Sequence, residues 1–174
     1  KLLETLGSPH KIIPIKEVFD VYDKILQPHF DNKAFDVTEE NLQARIRGNY
    51  LMALSNKFGY ILLNTTNKSE AAVGYGTLYG DMCGGYSVLK DVYKTTVFAL
   101  SRWRNENRLP DARGPAGRVM PDNVITRPPT AELKADQKDE DDLPRYATLD
   151  KILECLIENE MGVDEIVARG HDRP

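Results

Sequence analysis

Cysteine is scarce in this sequence: Cys83 and Cys155 stand alone, and no Cys-x-x-Cys occurs. That excludes a thiolate zinc ribbon and argues against a disulfide framework, so a reducing, cytoplasmic setting is expected. Long apolar runs are missing as well. The longest, such as Ile61-Leu62-Leu63, fall far short of the roughly 18 residues of a membrane span, and no signal-peptide pattern opens the chain, so no membrane partner is expected. Positive charge is not in excess: Lys plus Arg number 23 and Asp plus Glu 27, a formal charge of −4. A nucleic-acid surface is therefore not expected. Histidine is rare, and His10, His29 and His171 lie far apart, with no Ser/His/Asp or Cys/His arrangement for nucleophilic catalysis.

What is present is an ordinary globular composition, 41% hydrophobic over 174 residues, enough for a real core in one domain. The first residue is Lys1, not Met, and Lys1 to Gly7 reads as the last turns of a helix stopped by Gly7. The expectation is a fragment of something longer. His10 to Ile15 and Phe58 to Leu63 read as buried strands, and Val124 to Thr126 as a short one. Helices are predicted over Glu17 to about Phe30, Glu39 to about Lys57 (capped by Thr38) and Val88 to Asn105. A further helix is predicted from a Thr148 cap, and a short one over Val163 to Ala168. Strands alternating with helices predict an α/β fold with a parallel sheet, whose ligands sit beyond the carboxyl ends of the strands.

One such end is Asn64 to Glu70, followed by a glycine-punctuated stretch running to Asp81 and Gly85. Thr65, Glu70 and Asp81 place a hydroxyl and two carboxylates there, a set suited to a magnesium-bound phosphate or a ribose. The competing reading is local: Glu70 favours a helix N-terminus and Asp81 sits in a turn.

Five motifs stand in order along the chain. They are Glu39-Glu40-Asn41-Leu42-Gln43-Ala44-Arg45-Ile46-Arg47-Gly48, Asn64 to Glu70, Tyr79-Gly80-Asp81, Asp91-Val92-Tyr93-Lys94-Thr95, and Pro129-Thr130-Ala131-Glu132-Leu133. The stretch from Gln137 to Pro144 is a sixth. Together they resemble the synthetase domain of NAD⁺ synthetases, in the style of the glutamine-dependent form, over essentially the whole chain. The resemblance implies a Rossmann-like adenine nucleotide alpha hydrolase (ATP pyrophosphatase) fold, a parallel sheet flanked by helices and incomplete at its N-terminus. It implies one partial domain over 1–174, without the glutaminase domain. It also implies ATP-driven amidation: the nicotinate carboxylate of deamido-NAD⁺ attacks the α-phosphorus of ATP, pyrophosphate leaves, and ammonia derived from glutamine displaces AMP.

By that resemblance Glu70 binds Mg²⁺, and Thr65, Lys94 and Thr130 contact ATP. Lys94 and Asp81 carry the catalytic roles, and Arg45, Arg47 and Asp81 face deamido-NAD⁺. Each of these residues also has a plainer reading. Lys94 could be a solvated lysine paired with Asp91, and Thr130 could cap a turn. Arg45 and Arg47, two apart on a helix, cannot share one face. The acidic run at 139–142 reads as a solvated loop, or as a mobile segment near the site. The family's Ser-Gly-Gly-x-Asp-Ser phosphate loop does not occur here, the only Gly-Gly being Gly84-Gly85. The fragment alone is therefore expected to be inactive. A homo-oligomer is implied too, with the helices between Glu17 and Lys57 as candidate interface. Two alternatives remain: another amidating ATP pyrophosphatase, and a non-catalytic nucleotide-binding or oligomerisation module.

Overall fold

A computed structural model describes residues 1–134 and 136–173. Residues Leu2–Thr5 form α1, which Gly7 stops at a left-handed φ of 61°. The run from Pro9 to Ile15 has no regular structure and pairs with nothing among the described residues, so the predicted strand there is absent. Its apolar side chains lie open, Ile12 at 87% exposure. Next come α2 (Lys16–Leu26) with a 3-10 turn over Gln27–His29, and α3 (Val37–Phe58), against which α2 packs.

The cap of α3 is Asp36 rather than Thr38. Asp36 accepts from the Thr38 N–H at 2.7 Å, and Glu39 reaches back to the Asp36 N–H at 2.9 Å. That N–H contact holds the Asp36 carboxyl below its usual range.

The strand predicted at Phe58 to Leu63 shrinks to β1 (Leu63–Asn64). It pairs in parallel with β2 (Tyr86–Ser87), Leu63 opposite Tyr86 and Asn64 opposite Ser87. A parallel pair needs a long crossover, and here it carries α4 (Lys68–Ala72) and the glycine-rich stretch. Gly84 lets this stretch return close to the strand: a Cβ there would stand 2.9 Å from the Asn64 nitrogen.

The helix predicted from Val88 starts six residues later, as α5 (Lys94–Glu106). The spacing of Leu89, Val92, Tyr93, Thr96, Leu100 and Trp103 predicts one apolar face, but that face is not the buried one, since Leu100 and Trp103 are 52% and 44% exposed. Arg104, on that helix, donates to the carbonyls of Asn107, Arg113, Pro115 and Gly117 and so gathers the loop that follows. Val124 to Thr126 is not a strand. It belongs to α6 (Asp122–Thr126), where Arg118 pairs with Asp122 and the Thr126 hydroxyl bonds the Asp122 carbonyl.

Asp139–Asp141 make a 3-10 turn, and α7 (Tyr146–Leu153) continues through a π turn over Glu154–Glu158. The cap of α7 is Arg145, not Thr148. The chain's last helix is α8 (Val163–Ala168), as its pattern predicts. Tyr146, Leu149 and Leu153 of α7 form the core cluster, with Tyr93 and Leu143 packed on it. Cys155 is buried beside it, and both cysteines are free thiols. None of the described helices is long and apolar enough to cross a membrane. The result is α/β, with a short parallel sheet whose strands lead, at their carboxyl ends, towards α4 and α5 in the chain.

Candidate active site

At the end of β1, Asn64 turns the chain. Its side chain donates to the Met82 carbonyl at 2.7 Å and accepts from the Thr66 N–H at 2.7 Å. Thr65 is thereby left exposed at the strand's end. Two residues on, Asn67 caps α4. It accepts from the Glu70 N–H at 3.1 Å, while Glu70 Oε2 accepts from the Asn67 N–H at 3.1 Å. The local reading of Glu70 therefore holds. Yet its other oxygen, Oε1, lies 2.7 Å from Lys94 Nζ. Both side chains are 18% exposed, so the pair is sheltered but reachable. Lys94 is thus neither solvated nor paired with Asp91.

Two buried residues that the sequence did not single out set this pair. Ser69, fully buried, donates to Asp150 Oδ1 at 2.5 Å and accepts from the Lys94 N–H at 2.9 Å. Asp150 Oδ2 accepts from the Thr95 N–H at 2.8 Å. One carboxylate on α7 therefore caps α5, a helix whose own N-cap, Tyr93, offers no side-chain bond. The only sequence signal was an Asp in an apolar helix, with no hint of its partners 81 and 55 residues away.

Lys94 Nζ also stands 5.3 Å from the centroid of the Tyr146 ring, within cation–π range. Burial first, then Asp139, pushes the Tyr146 and Tyr75 phenols up. Nearby, Lys68 bonds Glu158 and its ammonium sits 5.0 Å from the Tyr93 ring centroid. The Tyr93 hydroxyl donates to the same Glu158 oxygen at 3.1 Å, and the bonds from Lys68 and Tyr93 hold Glu158 below the usual carboxylate range.

A second group gathers around α3. Gly48 seats the glycine-rich loop directly on the helix, for a Cβ there would meet the Gly80 carbonyl oxygen at 2.7 Å. Asp81, exposed beyond that contact, accepts from the Thr77 N–H at 2.6 Å. Tyr79 beside it is 81% exposed and sits at a φ of 62°, a backbone region an aromatic residue rarely adopts. Arg45 donates to the Leu78 carbonyl at 3.3 Å, on the Asp81 side. Arg47 points elsewhere, to the Glu132 carbonyl at 3.2 Å. The pair diverges, as its spacing required. Asp81 lines a cavity of about 270 Å³ together with Glu40, Asn41, Tyr75, Gln137 and Asp142.

Thr130 is half-buried, and its hydroxyl accepts from the Glu132 N–H at 3.1 Å. The structure thus joins Glu70 to Lys94 directly, with Thr65 exposed at the strand end that precedes α4, and it brings Arg45 only to the loop that carries Asp81. Thr130 lies on the segment that Arg47, from α3, grips at the Glu132 carbonyl. No group of three His, Cys, Asp or Glu able to hold a metal by itself occurs among the described residues.

The structure is that of an α/β domain with a sheltered acid–lysine pair between the helices that follow its two parallel strands. The chain belongs to the NAD synthase family, whose pattern it matches over residues 1–173. It is 51% identical over 172 residues to the glutamine-dependent NAD(+) synthetase of Thermotoga maritima, covering 99% of this chain and 29% of that protein. It is 59% identical over 138 residues to the Rhodobacter capsulatus protein of the same name, covering 79% of this chain and 25% of that one. The chain thus spans under a third of the length of these curated relatives. Among solved structures it resembles a glutamine-dependent NAD⁺ synthetase from Acinetobacter baumannii in complex with ADP. There the TM-score is 0.66 at 44% identity, over 98% of this chain and 28% of that one. It also resembles an NH3-dependent NAD synthetase from Campylobacter jejuni in complex with a nitrate ion, with TM-score 0.68 at 25% identity, over 98% and 57%.

Proposed function

We propose that this chain is the synthetase part of an AMP-forming ligase that amidates deamido-NAD⁺ to NAD⁺, using ATP and ammonia released from glutamine. The observation that carries the reading is the sheltered Glu70–Lys94 pair at the end of β1, in a chain of the NAD synthase family. The substrate carboxylate attacks the α-phosphorus and its new P–O bond replaces the bond to pyrophosphate. Ammonia then attacks the activated carbonyl, AMP departs with the former carboxylate oxygen, and a proton is lost. No protein nucleophile is needed, and the protein contributes positioning, charge and exclusion of water.

In this reading Lys94 offsets the charge developing on the phosphates, and Thr65 and Thr130 orient them. Asp81, with Arg45 and Arg47, binds the dinucleotide. Mg²⁺ fits the residues present only as a shared ion. Both Glu70 oxygens already accept one bond each, which leaves lone pairs for a cation, and among the described residues Glu70 belongs to no group of three or more metal-ligating side chains. One carboxylate plus substrate phosphates is the usual way this ion is held. Glu70 would hold it, and the ion would neutralise phosphate charge. The glutamine-hydrolysing part belongs to the whole protein, which we place in the cytoplasm, consistent with the free thiols Cys83 and Cys155. Self-association through α2 and α3 is part of the proposal.

The test is product analysis with the full-length protein, deamido-NAD⁺, ATP and either glutamine or ammonium. NAD⁺, AMP and pyrophosphate in equal amounts are expected. Release of ADP, or ATP turnover indifferent to deamido-NAD⁺, would refute the proposal. The 174-residue chain alone, having no Ser-Gly-Gly-x-Asp-Ser loop, is expected to form no NAD⁺ in the same assay.

A further inference from the structure

Asp139 belongs to the acidic run that the sequence presents as a solvated loop, yet it is 3% exposed. Its Oδ2 accepts from the Tyr146 hydroxyl at 2.8 Å and its Oδ1 from the Tyr75 hydroxyl at 3.2 Å. No lysine, arginine or histidine pairs with it among the described residues. A carboxylate is costly to bury without a cation, and a neutral group would pack there more cheaply. Stability alone does not account for it.

Each of its partners leads to the acid–lysine pair. The Tyr146 ring carries Lys94 Nζ at 5.3 Å from its centroid. The Tyr75 N–H donates to the Glu70 carbonyl at 2.9 Å, closing the turn after α4. The backbone supplies a third connection, because the Asp139 N–H donates to the Pro129 carbonyl at 2.9 Å, next to Thr130. From its other side the same segment is tied to α3, by Gln43 to the Leu133 carbonyl at 2.8 Å and by Arg47 to that of Glu132.

We propose that Asp139 is a positioning residue: held by Tyr75 and Tyr146, it seats residues 129–134 and 136–145, and Thr130 with them, against the Glu70–Lys94 pair. The role assigned to that pair rests on the function proposed above. The seating itself does not, and the experiment separates the two.

Tyr75→Phe and Tyr146→Phe remove the two donors while keeping both rings, including the one beneath Lys94. The double variant is made in the full-length protein and read in two ways. The first readout is tryptic cleavage after Lys138, which lies within the segment. The second is the steady-state KM for ATP and, separately, for deamido-NAD⁺. Two lost bonds to a charged acceptor correspond to at least about a tenfold effect. Cleavage is expected to accelerate by about that factor. The KM for ATP should rise about tenfold with little change in the KM for deamido-NAD⁺, and Tyr75→Phe alone should fall between. A generally loosened fold would instead shift both KM values and kcat together. Unchanged cleavage in the double variant overturns the proposal. So does faster cleavage with an unaltered KM for ATP. If the parent protein shows no ATP-dependent amidation at all, the functional reading fails, while the cleavage result still decides whether Asp139 seats the segment.

Discussion

Glu70 presents its two oxygens to different masters, the cap of its own helix through Oε2 and Lys94 through Oε1. Glu70→Gln keeps an acceptor for the Asn67 N–H but removes the charge facing Lys94. The expected result is a folded protein whose kcat for amidation drops on the order of 10²–10³, the size of loss seen when one preorganised electrostatic group is removed from a reacting centre. Lys94→Ala should fall in the same range, and the double variant should be little worse than either, because the two act as a unit. A fully additive double variant would show that they do not. The capping half of Glu70's role was legible in the sequence, since Asn67 and Glu70 stand three apart. Its contact with Lys94, 24 residues away, was not. Asp139 was misread for a related reason. Its neighbours Glu140, Asp141 and Asp142 are charged, and what makes it an interior residue is a pair of phenols, Tyr146 seven residues on and Tyr75 64 residues away.

Among the elements, α5 depends on a cap it does not carry. Asp150→Ala leaves the Thr95 N–H and the buried Ser69 hydroxyl without their acceptor. The expected cost is about 2 kcal/mol, a fall in Tm of about 4–8 °C, measured by circular dichroism on heating. A shift of less than a degree would mean that water replaces the carboxylate. Helices with their own caps and stripes, α3 and α8, were readable within a residue or two. The strands were not. The apolar run from His10 to Ile15 has the composition of a strand, but a strand exists only where another backbone pairs with it. Among the described residues none does. Val124 to Thr126 fails differently: three residues carry no period, and the Thr126 hydroxyl bonded to the Asp122 carbonyl closes a helical turn instead.

For the whole molecule, the accessible surface is 12,359 Å². A monomeric protein of this mass exposes ~8,600 Å². Much of the excess is apolar, with Ile12, Ile61, Leu63, Tyr86 and Ile25 all more than half exposed. The 174-residue chain in isolation is therefore expected to bind an apolar fluorescent dye and to self-associate with concentration, read by light scattering after size exclusion. A dye-silent monomer at every concentration would contradict this. The alkaline limb of stability follows from three phenols. Tyr93 is pushed up from 10.0 to about 12, chiefly by burial and then by Glu158, and Tyr75 and Tyr146 are raised as well. Below pH 10 these phenols are protonated whether the chain is folded or not. Between pH 10 and about 12 the unfolded chain ionises first, so the folded state should lose stability across that window. Denaturant melts at stepped pH would show the fall, and a flat profile would mean the phenols titrate normally.

The Arg104 guanidinium holds four carbonyl oxygens between Asn107 and Gly117. A carbonyl is common to every amino acid, so this grip reads the path of the main chain and is indifferent to the letters written along it. Apart from Gly114 and Gly117, whose φ of 84° and 82° favour glycine, the loop is thus free to drift in sequence while keeping its course. Its shape is inherited from one position outside it, where even lysine, with a single point charge in place of a planar fork, would let the course go.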